Sequence, residues 1–364
     1  AACLQAAPSS IARIYGRGGG YRRVMASAGA AATEEHVHVP SLVSLLIDGA
    51  TEAGSIIRAV TRVGDLNIVD KGGQAGLDGK YIMDAQTEAD RRVEETLLGA
   101  LDAFCPSLRV VAEESSEEAL VRPADRRLGA TLAQRPVSAA AAAAVSASCA
   151  WPPHLRRPIP ASRVCVFVDP LDGTNEYAAG EREAVTVLLG VAVDGRPVAG
   201  VIGQPFFGDA GGETFVGGDD EASALASAAE TEERKLGRVV WGGPGAGVFG
   251  LGRQNQEPKK KASEPLVAAI NRNLRDERQE PCLAALDAEI GVKISATGFH
   301  FLCLLEGRAH VQLLLRRASK KWDSCAGEAL LRAAGGSVTD AVGRRYRYEN
   351  DDSALQNLCG LVSA

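Results

Sequence analysis

The sequence has 364 residues, 46% of them hydrophobic and 24% charged, with a formal net charge of −6. That length allows two domains with hydrophobic cores, and the acidic balance argues against general attraction to nucleic acid or to anionic membranes. No apolar stretch reaches the roughly 18 residues that a transmembrane helix needs. The eight cysteines form no Cys-x-x-Cys pair, so neither a zinc site nor a disulfide framework is predicted.

The N-terminal segment has a distinctive composition. Its first 33 residues contain no Asp or Glu but include four arginines among Ala, Ser and Gly. This is typical of an organellar transit peptide, so we predict a leader over residues 1–40 and a chloroplast or mitochondrial location. A disordered leader, or mistranslated sequence ahead of Met25, is the alternative, and a cytoplasmic location is then expected.

Two helices and a strand are predicted next. Apolar residues recur at helical spacing from Leu42 to Val60, and Thr87 has the position of a cap for a second helix that ends before Pro106. Residues 108–112 then predict a strand that carries Glu113 at its C-terminal end.

Residues 117–162 differ in composition from the rest of the chain. Pro and Arg cluster there, and Ala139 to Ala144 is an unbroken alanine run. The composition predicts an inserted, disordered surface loop. The alternative is a short helix in the alanine run.

The remaining sequence alternates between predicted strands and helices. Strands are predicted at 164–168, 186–193 and 197–202, and Asp194-Gly195 is a strong hairpin signal between the last two. A polar linker follows, and the pattern predicts an N-terminal α+β domain over 41–253 and a C-terminal α/β domain over 254–364.

Four acidic residues, found at the predicted ends of these elements, suggest a metal site. Asp169 and Asp172 follow the strand 164–168, and Asp323 opens a predicted helix. Mg²⁺ prefers such carboxylate oxygens together with carbonyls such as that of Leu171. With Glu113, they would place four carboxylates in one cleft, and two metal ions about 3.5–4 Å apart would offset their repulsion and hold a phosphoryl group.

Two further residue types at the same place suit phosphate chemistry. Gly173 has no side chain, so a phosphate can approach its backbone, and Thr174 adds a hydroxyl. Asp90 lies three residues after Thr87, which fits either a helix-capping role or a partner of Thr174 that helps to deprotonate water. The two roles are compatible.

The motifs in combination resemble the inositol monophosphatase family of lithium-sensitive, Mg²⁺-dependent phosphatases. Its Asp-Pro-Leu-Asp-Gly-Thr motif stands at Asp169 to Thr174, and its Trp-Asp-x-x-Ala-Gly motif at Trp322 to Gly327. Glu113-Glu114 matches the upstream acidic pair, and Asp84, Thr87 and Asp90 match a third block. The resemblance implies an α+β protein of the sugar-phosphatase type, a layered α/β/α/β/α sandwich of two subdomains.

Several segments also resemble one branch of that family, the bisphosphate nucleotidases. These segments are 64–69, 175–177, 185–190 and 200–205. The resemblance implies hydrolysis of 3'-phosphoadenosine 5'-phosphate to AMP and phosphate. Inositol polyphosphate 1-phosphatase shares several of them, so activity on inositol polyphosphates or inositol monophosphate is the alternative.

The resemblance also implies a role for each site residue. Glu113, Asp169 and the Leu171 carbonyl would hold the metal that activates water, while Asp172 and Asp323, again with Asp169, would hold the metal near the leaving oxygen. Two or three Mg²⁺ ions are implied. Thr174 and Asp90 would be the catalytic pair. The implied substrate-binding residues are Gly173, Thr174, Arg272, Gly298, His300 and Asp323.

Two positions depart from the nucleotidase pattern. The stretch containing Arg272 matches the family poorly, and His300 stands where a lysine is usual. Neutral histidine binds a second phosphate less well than lysine. The preference between a nucleotide and an inositol phosphate therefore stays open.

The expected partners are small phosphorylated nucleotides or inositol phosphates. Neither a nucleic acid nor a membrane is expected as a partner, and a homodimer is left open. The hypothesis from another class is an inactive nucleotide or phosphate sensor, which would bind without turnover.

Overall fold

The computed structural model describes residues 21–22, 34–75, 81–114, 123–146, 150–208, 236–251, 265–272, 277–316, 319–349, 357 and 360–364. The helices of these parts are α1 (Val39–Val63), α2 (Glu88–Phe104), α3 (Pro123–Leu132), α4 (Ala139–Ser146), α5 (Thr174–Ala178), α6 (Gln279–Ala285), α7 (Thr297–Leu305) and α8 (Lys321–Ala333). Within these ranges, no helix combines the length and apolar character that crossing a bilayer would require.

Eighteen strands belong to the same ranges. They are β1 (Tyr21–Arg22), β2 (His36–Val37), β3 (Val69–Asp70), β4 (Gln74–Ala75), β5 (Tyr81–Ile82), β6 (Ala85–Gln86), β7 (Arg109–Ala112), β8 (Ile159–Pro160), β9 (Val164–Asp172), β10 (Thr186–Val193), β11 (Arg196–Gln204), β12 (Arg238–Gly243), β13 (Gly247–Phe249), β14 (Leu266–Ile270), β15 (Ala288–Lys293), β16 (Val311–Leu314), β17 (Val338–Thr339) and β18 (Leu361–Ser363).

A seven-stranded sheet forms the centre of the N-terminal half, in the order β1-β7-β9-β10-β11-β12-β13. β7 and β9 are parallel, so both end at the same edge of the sheet. The predicted hairpin at Asp194-Gly195 is confirmed, since it joins β10 to β11 with both residues at positive φ. β9 and β10 are buried along their whole length, which fits a sheet that is covered on both faces.

The second sheet has the order β15-β14-β16-β18-β17. β14 is parallel to β15 and to β16, whereas β18 is antiparallel to β16. Leu283 of α6 packs against one face of this sheet, and Phe299 of α7 belongs to a separate core that includes Ala269 of β14.

The helices and sheets alternate in layers. α1 and α2 share a core with the outer face of the seven-stranded sheet. α7 and α8 lie between the two sheets, where Phe301 and Ala326 pack with Leu188 and Leu314. The approach of α8 is close, because a Cβ at Gly200 would lie 2.2 Å from the Ala326 carbonyl oxygen. The predicted α/β/α/β/α arrangement is therefore confirmed.

The segment 117–162 differs from the loop that its composition predicted. Its described parts contain α3, α4 and the short strand β8, and the helix in the alanine run is the alternative that the structure contains. Arg126 of α3 pairs with Glu95 at 3.0 Å and with Asp102 at 2.8 Å, both on α2. The expectation of disorder was wrong there because contacts with a distant helix outweigh a weak local pattern.

The predicted leader and domain boundary lie mostly outside the described residues. Of residues 1–40, the structure describes 21–22 and 34–40, where β1 pairs with β7 and α1 begins at Val39. Residues 252–264, which contain the predicted boundary, are also outside the described ranges.

Candidate active site

A cavity of about 380 Å³ lies at the edge of the seven-stranded sheet where β9 ends. Residues from both sheet regions and from their connections line it, so it lies between the two halves of the molecule. The lining residues include Gly73, Asp84, Glu113, Asp169, Leu171, Asp172, Gly173, Thr174, Asn175, Glu176, Asn271, Ser295, Thr297, Lys320, Trp322 and Asp323.

The sheet topology brings the predicted acidic residues to this cavity. Glu113 directly follows β7, and its amide donates to the Val168 carbonyl of the parallel strand β9 over 3.1 Å. Asp169 and Asp172 belong to the C-terminal end of β9, where Oδ1 of Asp169 accepts from the Leu171 amide at 3.1 Å. Asp323 comes from the first turn of α8. The structure thus places residues that are more than 200 positions apart around one cavity.

Burial gives these carboxyl groups unusual acidities. It raises the pKa of Asp169 well above its usual value, and the charges of Glu113, Asp172 and Asp323 raise it further. Burial and the charge of Glu113 likewise raise the pKa of Asp323. Buried carboxylates that repel one another gain most from a bound cation.

Asp172 accepts hydrogen bonds from more donors than Asp169 or Asp323. Its Oδ1 accepts from the Thr297 amide at 3.1 Å, and its Oδ2 accepts from the Gly298 amide at 2.6 Å and from the Thr186 hydroxyl at 2.9 Å. Burial raises the pKa of Asp172 to about 7, although these three donors lower it. The carboxylate is therefore fixed in orientation before any ligand binds.

The donor set fits Mg²⁺, because hard carboxylate and carbonyl oxygens are the ligands that this ion prefers. The residues that would hold it are Glu113, Asp169, Asp172 and Asp323 with the Leu171 carbonyl. Across the described ranges, however, no three His, Cys, Asp or Glu side chains are grouped closely enough to form a metal-binding cluster. The acids share the cavity without closing around one point.

Lys71 is a cation beside these acids that the sequence analysis missed. Its Nζ lies 3.4 Å from Glu113, 2.8 Å from Glu114 and 3.6 Å from Asp84. Burial lowers the pKa of Lys71, but these carboxylates outweigh burial and raise it. A lysine in a Gly-rich loop gives no local sign of a partner 42 residues away, so only the fold reveals it.

The catalytic pair proposed from sequence is in contact. Oγ1 of Thr174 lies 2.9 Å from the Leu171 carbonyl oxygen and 3.3 Å from Oδ1 of Asp90. Asp90 also accepts from the Thr87 amide at 2.8 Å, which completes a capping box at the start of α2. Burial raises the pKa of Asp90 to about 6. The capping contact and the contact with Thr174 therefore coexist.

Gly173 lines the cavity next to this pair. It has φ of 86°, and a Cβ there would lie 3.0 Å from the Ala296 side chain. Only glycine adopts that backbone conformation readily. The chain can therefore turn sharply between Asp172 and Thr174.

Three residues expected to contact the substrate are absent from the lining of this cavity. Both terminal nitrogens of Arg272 donate to Glu181 at 2.6 Å. His300 is 2% exposed, its Nδ1 lies 3.2 Å from Gln312, and burial lowers its pKa to about 4. The Gly298 amide is used by Asp172. None of the three lines the cavity. The position of a residue in a motif does not show which way α7 and the end of β14 face, so the sequence could not predict this arrangement.

Other polar residues of the same regions line the cavity. Asn271, Ser295 and Thr297 line it, together with Glu176 of α5. Asn271 directly precedes Arg272 and Glu176 lies three residues after Gly173, so proximity to the predicted site was the available signal.

Comparison with known proteins agrees with this geometry. The model of the inositol monophosphatase family matches residues 40–360. The chain therefore belongs to the inositol monophosphatase family, and it is a phosphoric monoester hydrolase. The family is generally Mg²⁺-dependent and acts on small phosphorylated substrates.

Curated relatives and solved structures extend the match. Human 3'(2'),5'-bisphosphate nucleotidase 1 is 30% identical, with 83% of each chain covered. The mouse protein of the same name is 29% identical and covers 90% of this chain and 92% of its own. The fold is shared with the extragenic suppressor protein suhB from Bartonella henselae, at TM-score 0.55 and 18% identity, with 89% of this chain and 93% of that one covered.

Proposed function

We propose that the protein is a 3'(2'),5'-bisphosphate nucleotidase that hydrolyses 3'-phosphoadenosine 5'-phosphate to AMP and phosphate. The observation that carries the chemistry is the convergence of Asp169, Asp172, Glu113 and Asp323 on one cavity beside Thr174. The substrate is supported by similarity to nucleotidases along nearly the whole chain. Mouse inositol polyphosphate 1-phosphatase, by contrast, is 28% identical and covers 50% of this chain.

The residues of the chain divide the work of hydrolysis. Mg²⁺ held by the four carboxylates and the Leu171 carbonyl would supply charge neutralisation and an activated water. Thr174 Oγ1 is fixed by the Leu171 carbonyl and Asp90, so it orients the attacking water and passes a proton toward Asp90. Asp90 has a raised pKa, which suits a group that accepts a proton during turnover.

The phosphate would lie against the turn after β9. Gly173 and Thr174 line the cavity directly after Asp172, and we assign their backbone N–H groups to the phosphate oxygens. Asp172 and Asp323 would lie on the side of the leaving oxygen. Water attacks phosphorus and gives up a proton toward Thr174 and Asp90, the bond to the 3'-oxygen breaks, and that oxygen takes up a proton from solvent, so that AMP and phosphate leave.

A test of the assignment compares three substrates with purified protein and Mg²⁺. The esters are 3'-phosphoadenosine 5'-phosphate, inositol 1,4-bisphosphate and inositol 1-phosphate, and the measurement is phosphate release. We expect the nucleotide to have the highest kcat/KM. A preference for an inositol ester would overturn the substrate assignment. Binding of the esters without phosphate release from any of them would identify a sensor instead.

One observation favours inositol esters as the second candidate. Arg272 is paired with Glu181, and His300 is buried and its pKa is lowered. The cavity is lined by Asn271, Ser295 and Glu176 among other residues. Those groups suit hydroxyls at least as well as a second phosphate, so the same substrate comparison decides between the two.

A further inference from the structure

Glu176 is a buried carboxylate whose two oxygens differ in their contacts. The residue is 3% exposed and lines the cavity from α5. Its Oε1 accepts from the Ser295 amide at 2.8 Å, whereas Oε2 has no hydrogen-bond partner in the described structure. Because buried polar atoms are nearly always paired, such an exception calls for an explanation.

The surroundings of Glu176 restrict what could pair with Oε2. An ionised carboxylate accepts hydrogen bonds and donates none. A phosphate at this position would therefore be repelled, whereas a hydroxyl or amino group would satisfy the oxygen.

The neighbours of Glu176 form a polar surface that faces the same cavity. The Ser295 hydroxyl lies 3.4 Å from Oδ1 of Asn271, and the Asn271 side-chain amide donates to the Ser295 carbonyl at 3.3 Å. Both residues line the cavity with Glu176. Through the Ser295 amide, Glu176 thus links α5 to the segment that precedes α7.

We propose that Oε2 of Glu176 accepts a hydrogen bond from a hydroxyl or amino group on the part of the substrate that is released. The inference rests on the proposed function and extends it to a specificity-determining contact. In a nucleotide, the candidate donors are the ribose 2'-hydroxyl and the adenine amino group. In an inositol ester, the donor is a ring hydroxyl.

The test measures whether discrimination between matched substrates depends on Glu176. The substrates are adenosine 3',5'-bisphosphate, its 2'-deoxy analogue and the inosine analogue, which lacks the amino group. The variants are Glu176→Ala and Glu176→Gln. Glu183→Gln is the matched control, since its side chain is 76% exposed and lies outside the cavity.

Wild-type protein should prefer the substrate with the donor over one analogue by roughly 10- to 100-fold in kcat/KM. Glu176→Ala should bring that ratio close to one by lowering kcat/KM for the substrate that has the donor, and Glu183→Gln should keep the wild-type ratio. If the wild type acts only on inositol 1-phosphate, the same ratio is measured against its deoxy analogues.

Three results would overturn the assignment. An unchanged ratio in Glu176→Ala, with all esters slowed equally, would show that Glu176 only supports the Ser295 loop. If added Mg²⁺ restored the activity of Glu176→Gln, Glu176 would be a metal ligand instead. A wild type that hydrolyses no ester would overturn both this contact and the proposed function. If the wild type is active and Glu176→Ala keeps the wild-type ratio of kcat/KM values, only the contact is overturned.

Discussion

The backbone amide of Gly298 donates a hydrogen bond to Oδ2 of Asp172 over 2.6 Å, and this contact joins the two sheet regions at the candidate active site. Gly298 belongs to the first turn of α7, whereas Asp172 ends β9. The carboxylate expected to bind a metal is therefore also the acceptor that fixes the start of α7. A metal ion bound by Asp172 would therefore be coupled to the position of the second sheet region through this one side chain.

Asp172→Asn should abolish the response of stability to Mg²⁺. A ligand that binds only the folded state raises its stability by about 2.7 kcal/mol at 100 times Kd, so the Tm of the wild type should rise as Mg²⁺ is added. The variant lacks the charge and should show little rise, with kcat at least about 100-fold lower. Differential scanning fluorimetry with and without Mg²⁺ measures the first effect.

The control for this variant is Asp194→Asn. Asp194 lies in the β10–β11 turn at φ of 50° and pairs with the exposed Arg163. Asparagine tolerates that conformation, so the Mg²⁺ response should be unchanged. An equal response in the Asp172 variant would contradict the metal assignment.

Gly298→Ala should disturb Asp172 without changing any charge. A Cβ at Gly298 would lie 2.3 Å from the Thr186 hydroxyl oxygen, 2.5 Å from Leu188 and 2.9 Å from Oδ2 of Asp172. Overpacking of this kind costs about 1–3 kcal/mol, and the displaced carboxylate should lower kcat by at least about tenfold. Urea denaturation and Mg²⁺-dependent phosphate release measure the two effects.

Gly54→Ala is the matched substitution. A Cβ at Gly54 in α1 would lie 3.2 Å from the Arg58 Nη1 atom, which donates to the Pro205 carbonyl at 2.9 Å. Stability should fall as it does in Gly298→Ala, but activity should be retained because Gly54 does not line the cavity. Activity lost equally in both variants would show that the effect is not specific to Asp172.

The sequence predicts the acidic turn well but not what surrounds it. Asp169 and Asp172 follow an apolar strand, and the pattern of that strand places them at a sheet edge. The burial of His300 follows from the way α7 packs between the sheets, which no local pattern specifies. The pairing of Arg272 with Glu181 is also a contact across 91 positions. Packing between distant elements therefore decides which polar residues face the cavity.

The inserted segment gives the same lesson for the fold. The Pro and Arg residues of this segment favour a loop, yet α3 is held against α2 by Arg126 and by the close approach of Gly129 to the Thr96 carbonyl. A Cβ at Gly129 would lie 1.8 Å from that oxygen. The helix forms because tertiary contacts stabilise it.

Thr174→Val should remove catalysis while preserving shape. Valine lacks the hydroxyl that contacts Leu171 and Asp90, so kcat should fall by at least about 100-fold, whereas Thr174→Ser should stay within about tenfold of wild type. Steady-state phosphate release measures both. If valine and serine variants are equally active, the hydroxyl has no role in orienting water.

Glu328→Gln should stabilise the protein at high pH. Burial raises the pKa of Glu328 from 4.5 to about 7, and the Tyr348 hydroxyl donates to its Oε2 at 2.8 Å. A carboxyl with a raised folded-state pKa contributes stability that is complete below its unfolded value and lost as the pH rises through about 7. At about pH 8 the neutral amide should therefore raise the unfolding free energy by about 1–3 kcal/mol.

The pH dependence distinguishes this cause from simple repacking. The advantage of Glu328→Gln should shrink as the pH falls toward 4.5, where wild-type Glu328 becomes protonated in both states. Glu289→Gln, at an exposed position of β15, should show no such trend. A stability gain in the Glu328 variant that does not vary with pH would contradict the explanation.

Asn357→Ala should weaken the segment that carries Asp323. Asn357 is fully buried, and its Nδ2 lies 2.8 Å from Ser319 Oγ, 2.9 Å from the Lys320 carbonyl oxygen and 3.2 Å from Ser324 Oγ. The Lys320 carbonyl can only accept a hydrogen bond, so the side-chain nitrogen of Asn357, and not its oxygen, must face it. Its loss should cost about 1–3 kcal/mol and raise the Mg²⁺ concentration for half-maximal activity.

Asn357→Asp should cost more stability than Asn357→Ala, because an oxygen would then face those acceptors. Urea denaturation measures the stability of both variants, and titration of activity with Mg²⁺ measures their metal requirement. Variants that lose stability at an unchanged Mg²⁺ requirement would show that Asn357 supports the fold without positioning Asp323.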